Sequence, residues 1–182
     1  MSRPGSGFGH YLRDMVYGAL DGVITTMAIL AGSQGAALSA RIGLILGLAN
    51  LIGDGISMGA SNYLGLRSEI EQAGGSVAAE APWRHGLATV AAFIVVGSAP
   101  LVAYVVAPLA GVAIFPFAIV LSAMALLAAG FVRAAFVGKA AWRSAIEMLA
   151  VGVLAGGAAY LVGRAAASLA SLWEVTAGAR PS

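Results

Sequence analysis

Two aspartates, Asp21 and Asp54, stand inside long apolar runs of this chain. A carboxylate in the middle of a membrane helix costs about 2.5–3.5 kcal/mol on insertion scales, and it persists where it faces a bundle interior or a cavity with a partner. Asn50, Asp54 and Met58 are spaced four apart, so a helix would carry all three on one face. Ser57, Ser61 and Asn62 extend that polar stripe, and Gly18 and Gly22 flank Asp21, leaving room for a helix or a cation to approach. Two carboxylates, an amide and a thioether form a candidate divalent-cation site. Oxygen ligands suit Mg, Ca, Mn and Fe(II), and a thioether tilts the preference towards softer transition metals. Carboxylates also exchange protons, so the same pair can couple metal movement to a proton gradient. The competing roles are ordinary ones: core packing for Met58, and for Asp54 an interhelical hydrogen bond with Asn50 or a serine.

The elements that position these residues follow from composition. Of 182 residues, 60% are apolar and 10% charged, against about 25% charged in soluble domains. The mean hydropathy is +0.91. A bilayer core needs roughly 20 helical residues per crossing. Five runs meet that need, at about 15–31, 42–66, 86–107, 112–132 and 145–167. They lack the alternation of barrel strands, so the expectation is an all-α membrane protein of about five transmembrane helices in a single domain, 1–182. The sizeable polar connection is 67–85, read as a short cytoplasmic loop.

Lys and Arg counts orient the bundle. Arg3, Arg13, Arg67, Arg84, Arg133, Lys139 and Arg143 fall on one side, and Arg41, Arg164 and Arg180 on the other. The richer side is cytoplasmic, which puts the N-terminus inside and the C-terminus outside. On this reading Asp21 and Met58 lie at similar depth and Asp54 about one turn further out. Gly43 and Gly47, Gly55 and Gly59, and Gly152 and Gly156 are four apart, a spacing that allows close helix approach. Packing within one subunit is favoured over a dimer face. Pro100 should kink the third helix.

Other features have plainer readings. There is no cysteine, hence no disulfide and no thiolate metal site. His10 and His85 are isolated in sequence, without zinc-ligand spacing. Glu147 sits near the start of the fifth helix, where the helix dipole favours an anion. Glu69, Glu71 and Glu80 form an acidic loop that could attract cations to a cytoplasmic entrance, although a solvated loop is the simpler account. No basic run or nucleic-acid motif occurs. Nine of the ten basic residues are Arg, which with abundant Ala and Gly hints at a bacterial source and an inner-membrane location. An N-terminal signal peptide is disfavoured by the aspartate inside its apolar core.

The same stretches resemble the vacuolar iron transporter family. The first helix offers Tyr17-Gly-Ala-Leu-Asp21-Gly, and the second Gly47-Leu-Ala-Asn50-Leu-Ile-Gly-Asp54-Gly-Ile-Ser-Met58-Gly, then Asn62-Tyr63-Leu64-Gly65 and Ser68-Glu69. Gly97-Ser-Ala-Pro100-Leu, Tyr104, Gly138-Lys-Ala-Ala-Trp142, Glu147-Met-Leu and Tyr160-Leu-Val-Gly163 continue the match in order. The resemblance implies five helices, a cytosolic N-terminus, a homodimer and proton-coupled export of Fe(II) or Mn(II), with no permanently bound cofactor. It assigns Asp21 and Met58 to the metal site. Asn50 stands where plant-type members often carry glutamate, and Asp54 supplies a carboxylate one turn later. The 67–85 segment is too short for the glutamate-rich cytosolic metal-binding domain of plant-type members.

Two other functions compete. A non-transporting membrane scaffold would tolerate Asp54→Asn except in stability. An intramembrane aspartyl protease would use the aspartates as a shared-proton dyad, but Leu51 replaces the first glycine of its Gly-x-Gly-Asp pattern, and three residues separate Tyr17 from Asp21.

Overall fold

The computed structural model describes residues 11–138 and 140–178. They form α1 (Leu12–Gly35), α2 (Ala40–Gln72), the single turn α3 (Val77–Glu80), α4 (Pro82–Gly97), α5 (Ala99–Leu109), α6 (Ile114–Val137) and α7 (Ala141–Gly178). Among the described residues, five segments are long and apolar enough to cross a membrane: Leu12–Gly35, Ala40–Gln72, Val77–Leu109, Ile114–Ala135 and Ala141–Trp173. This is a multi-pass, all-helical membrane protein. His10, Arg3, Lys139 and Arg180 lie outside the described residues.

The helices outrun the apolar stretches that announce them. The second continues to Gln72 through Arg67, and α3 occupies part of what reads as loop. The 67–85 connection is therefore mostly helical, and the non-helical link is confined to its middle. Hydrogen bonding continues a helix past the hydrocarbon boundary wherever the residues favour it, and water satisfies its polar side chains. At the other end of α2, Ser39 caps the helix by accepting a hydrogen bond from the backbone N–H of Ile42 at 3.4 Å.

The third span is two helices. α4 ends at Gly97, Ser98 turns, and α5 begins with Pro100 in its first turn. Proline has no N–H to donate, so the expected kink appears as a break. Ser98 Oγ donates to the carbonyl of Val95 at 2.8 Å and helps close the end of α4.

α1 is the hub. It packs along α4 and α7 and also touches α2 and α6, while α2 lies on α4, α5 on α6, and α6 on α7. Glycines make the tightest of these contacts possible. A Cβ on Gly22 would lie 2.5 Å from the carbonyl oxygen of Phe93, and one on Gly97 would lie 2.8 Å from the backbone of Gly22. α2 meets α4 in the same way at Gly59 and Gly86. Gly43, Gly47, Gly55 and Gly152 each face a side chain of this same chain, as expected of packing within one subunit. Leu30, Leu51, Phe93, Leu101, Ala103 and Ala118 fill one core, and Val23, Leu126 and Met148 a second.

Glu147 differs from its sequence reading. α7 starts at Ala141, so Glu147 sits beyond its first turn and pairs with Arg133 of α6 at 3.1 Å. It clasps two helices rather than capping one.

Candidate functional site

A cavity of about 510 Å³ opens between α1, α2 and α4. Arg13, Asp14, Tyr17 and Asp21 line it from α1, Met58, Ser61 and Asn62 from α2, and Thr89 from α4. Helical spacing explains the set. Asp14, Tyr17 and Asp21 recur at intervals of three and four, as do Met58, Ser61 and Asn62, so each helix turns one stripe inward. Gly18 and Gly22 let α1 press against α4 beside this stripe.

Of the residues singled out in the sequence, Asp21 and Met58 share this cavity. Asp54 is half-buried one turn along α2 from Met58, outside the cavity lining. Asn50 continues the face, and its Nδ2 is buried without a hydrogen-bond partner. Among the described residues, no three His, Cys, Asp or Glu side chains converge as a metal cluster. The carboxylate pair is thus accompanied by a thioether and an amide, a sparse ligand set for one chain.

Glu69, Glu71 and Glu80 are exposed and outside the cavity lining. Glu71 is bound to Arg67, whose Nε donates to its carboxylate at 2.8 Å. This leaves Glu69 and Glu80 as the better candidates for attracting cations.

Sequence reasoning missed a polar network in the wall of the cavity. His85 is not isolated. Its Nδ1 lies 2.6 Å from Asp14 Oδ2, and both residues are more than nine-tenths buried. Asn62 Nδ2 donates to Asp14 Oδ1 at 2.9 Å and to Thr89 Oγ1 at 2.7 Å. Thr89 in turn donates to the His85 carbonyl at 3.0 Å. The Tyr11 ring packs against the imidazole with centroids 4.7 Å apart. Three helices are tied together by charged and polar groups that water barely reaches. Two signals pointed here: Asp14 lies seven residues before Asp21, on nearly the same face of α1, and Asn62 lies four beyond Met58.

Known proteins share this layout of sequence. The sequence profile of the VIT family matches residues 12–81 and 70–164, most of the chain. This chain belongs to the VIT family. Among curated relatives, the vacuolar iron transporter of Toxoplasma gondii is 46% identical over 59 residues, 32% of this chain and 20% of that protein. The vacuolar iron transporter of Plasmodium berghei is 38% identical over 61 residues, 34% of this chain and 22% of the relative. Vacuolar iron transporter 1 of Arabidopsis thaliana is 39% identical over 61 residues, 34% of this chain and 24% of the relative. The chain thus spans about a fifth to a quarter of the length of these relatives.

Proposed function

We propose that this VIT-family chain carries a divalent transition metal, Fe(II) or Mn(II), across a membrane, outward from the cytoplasm and in exchange for protons. The observation that carries the reading is the cavity that joins Asp21 and Met58, with Asp54 one helical turn along α2 from Met58. The relatives' names point to iron. Oxygen ligands with one thioether suit Fe(II) and Mn(II) better than Mg or Ca. Asn50 fits the same role: a half-turn of its orphaned amide presents an oxygen to a cation. The charge bias of the connections makes the N-terminal side cytoplasmic, and the Arg-rich composition suits a bacterial inner membrane.

The reading includes a homodimer. Arg13, Tyr17 and Ser61 line the cavity and are exposed, so it opens sideways at the surface of α1 and α2. In lipid that opening would leave carboxylates facing hydrocarbon, which is costly. A second copy laid on this face closes the cavity and doubles the ligand set. Ala49, Gly53, Ser57, Ser61 and Gly65, four apart and all exposed, give that face the small residues that membrane helix pairs favour.

The test is Mn²⁺ and Fe²⁺ uptake into proteoliposomes holding the full chain. Asp21→Asn and Asp54→Asn should each slow uptake by roughly 100-fold, as expected when metal-site groups are lost, with expression and melting temperature retained. Normal rates in both variants would remove the proposed site. A scaffold would show no uptake in the wild type.

A further inference from the structure

The cavity wall holds titratable groups that the proposed metal site does not use. Asp14 and His85 face each other at 2.6 Å from α1 and α4, and Asn62 of α2 holds the second carboxylate oxygen. The pair is buried from bulk water, yet Asp14, Asn62 and Thr89 form part of the cavity wall. Asp14 precedes Asp21 by seven residues, roughly 10 Å along the helix axis. The two sites therefore share one cavity, with Asp14 nearer the cytoplasmic end.

We propose that Asp14 and His85 together form a proton-binding site that sets the charge of the cavity wall and thereby governs metal entry. The proposal rests on the transport reading above. With an imidazolium the pair is neutral. Loss of one proton to water leaves neutral imidazole and the Asp14 carboxylate, a net charge of minus one, and Nδ1–H still donates to Asp14. A histidine ordinarily makes this change between about pH 5 and 8. The neutral state admits a divalent cation poorly, and the anionic state attracts it. A bound cation in turn favours proton release, so metal entry and proton release are linked in the same cavity.

The neighbours are consistent with this role. From α1, the Tyr11 ring packs on the imidazole, and Arg13 and Tyr17 line the cavity beside Asp14, with Asp21 deeper. From α2 come Asn62, which bonds Asp14, and Tyr63, whose Cβ faces Gly86. On α4, Thr89 bonds the His85 carbonyl, and the Arg84 guanidinium lies over the Trp83 ring. Asn62 and Thr89 donate without titrating near neutral pH. Asn62 fixes the carboxylate and Thr89 holds Asn62 in place, which leaves the proton count to Asp14 and His85.

The experiment compares wild type, His85→Gln, Asp14→Asn and Thr89→Val as full chains in proteoliposomes. Initial Mn²⁺ uptake is measured with the pH of the metal-side buffer varied from about 6 to 8, the histidine range. Wild-type uptake should rise several-fold with pH. His85→Gln should stay at the fast limb, nearly independent of pH, and Asp14→Asn, which never gains the negative charge, should stay at or below the slow limb throughout. Thr89→Val, which loses hydrogen bonds but no titrating group, should keep the wild-type pH profile. A role confined to holding helices together predicts slower uptake in all three variants with the profile unchanged, and that result would overturn the proposal. Imidazole ¹⁵N NMR of the metal-free His10→Gln chain, in which His85 is the remaining histidine, gives an independent readout. Titration of His85 that shifts in Asp14→Asn supports the proton site even if no variant moves Mn²⁺, in which case the transport reading alone falls. An imidazole signal constant across that pH range overturns the proton site whatever the uptake shows.

Discussion

Two cavities of similar size sit on either side of this bundle, and they differ in nearly everything else. The one between α1, α2 and α4 is about 510 Å³ and holds Arg13, Asp14, Asp21 and Asn62. The one between α1, α6 and α7 is about 430 Å³ and is walled by residues such as Ile24, Met27, Phe115, Leu126 and Leu149. α1 lines both, the first with its early turns and the second with its later ones. Each cavity also has a methionine, Met58 in one and Met27 in the other. Volume therefore says little about function here. In a membrane an apolar hollow can be filled by lipid at little cost, whereas a hollow lined by carboxylates is expensive to keep and needs a cation or a partner. The contrast also separates the helices: α6 and α7 help wall an apolar hollow, and α1, α2 and α4 bring the polar side chains together.

The largest expected effect comes from breaking the seam that holds the polar half together. Gly22→Leu would drive a side chain into the backbone of Phe93. Overpacking typically costs about 1–3 kcal/mol and more where backbone must move, so this variant should lose its monodisperse peak on size exclusion. Gly53→Leu is the matched control on the open face of α2, where an added Cβ meets nothing within 4 Å. It should melt like the wild type yet run as a monomer if the homodimer forms through that face. A Gly22→Leu protein with wild-type melting would show that the α1–α4 approach is not needed.

The next effect separates the cavities by a single chemical change. Met58→Leu and Met27→Leu each exchange a thioether for an alkyl group of similar volume, and such swaps usually cost less than about 1.5 kcal/mol. Both variants should therefore fold and melt nearly alike. If Met58 sulfur touches the cargo, its loss should slow Mn²⁺ uptake roughly tenfold, the lower end of what metal sites lose on perturbation, while Met27→Leu changes the rate by less than about twofold. Equal rates in the two variants would return Met58 to core packing.

Much of this was legible in the chain because one physical demand dominates it. Lipid forces roughly 20 apolar residues per crossing, so five spans could be counted from hydropathy, and Pro100 marked the break between α4 and α5. Helix ends were less legible. Arg67 to Gln72 read as loop because they are polar, but polarity ends a membrane span and not a helix. The polar stripe from Asn50 to Asn62 was visible through its period of four. The Asp14–His85 pair was not, because the partners are 71 residues apart in sequence. Each alone looks like a polar residue near a helix end. Their contact exists because the α1–α4 glycine seam brings the two helix ends together, and that seam is a tertiary fact.

The smallest effect tests whether the outer acidic residues belong to the polar cavity at all. Glu69, Glu71 and Glu80 all stand exposed outside its lining. Glu71 is already held by Arg67, in an exposed pair one turn apart on α2, so its field on an approaching cation is largely cancelled. The double variant Arg67→Gln/Glu71→Gln, which removes both charges of the pair, should leave both melting and uptake unchanged. Glu69 and Glu80 have no such ion pair among the described residues, so the double variant Glu69→Gln/Glu80→Gln should raise the half-saturating Mn²⁺ concentration by about twofold at low salt. That effect should vanish near 0.15 M salt, where the screening length is about 8 Å. An equal loss in Arg67→Gln/Glu71→Gln, persisting in salt, would mean that these side chains contact the metal directly and that the polar region extends beyond the cavity wall.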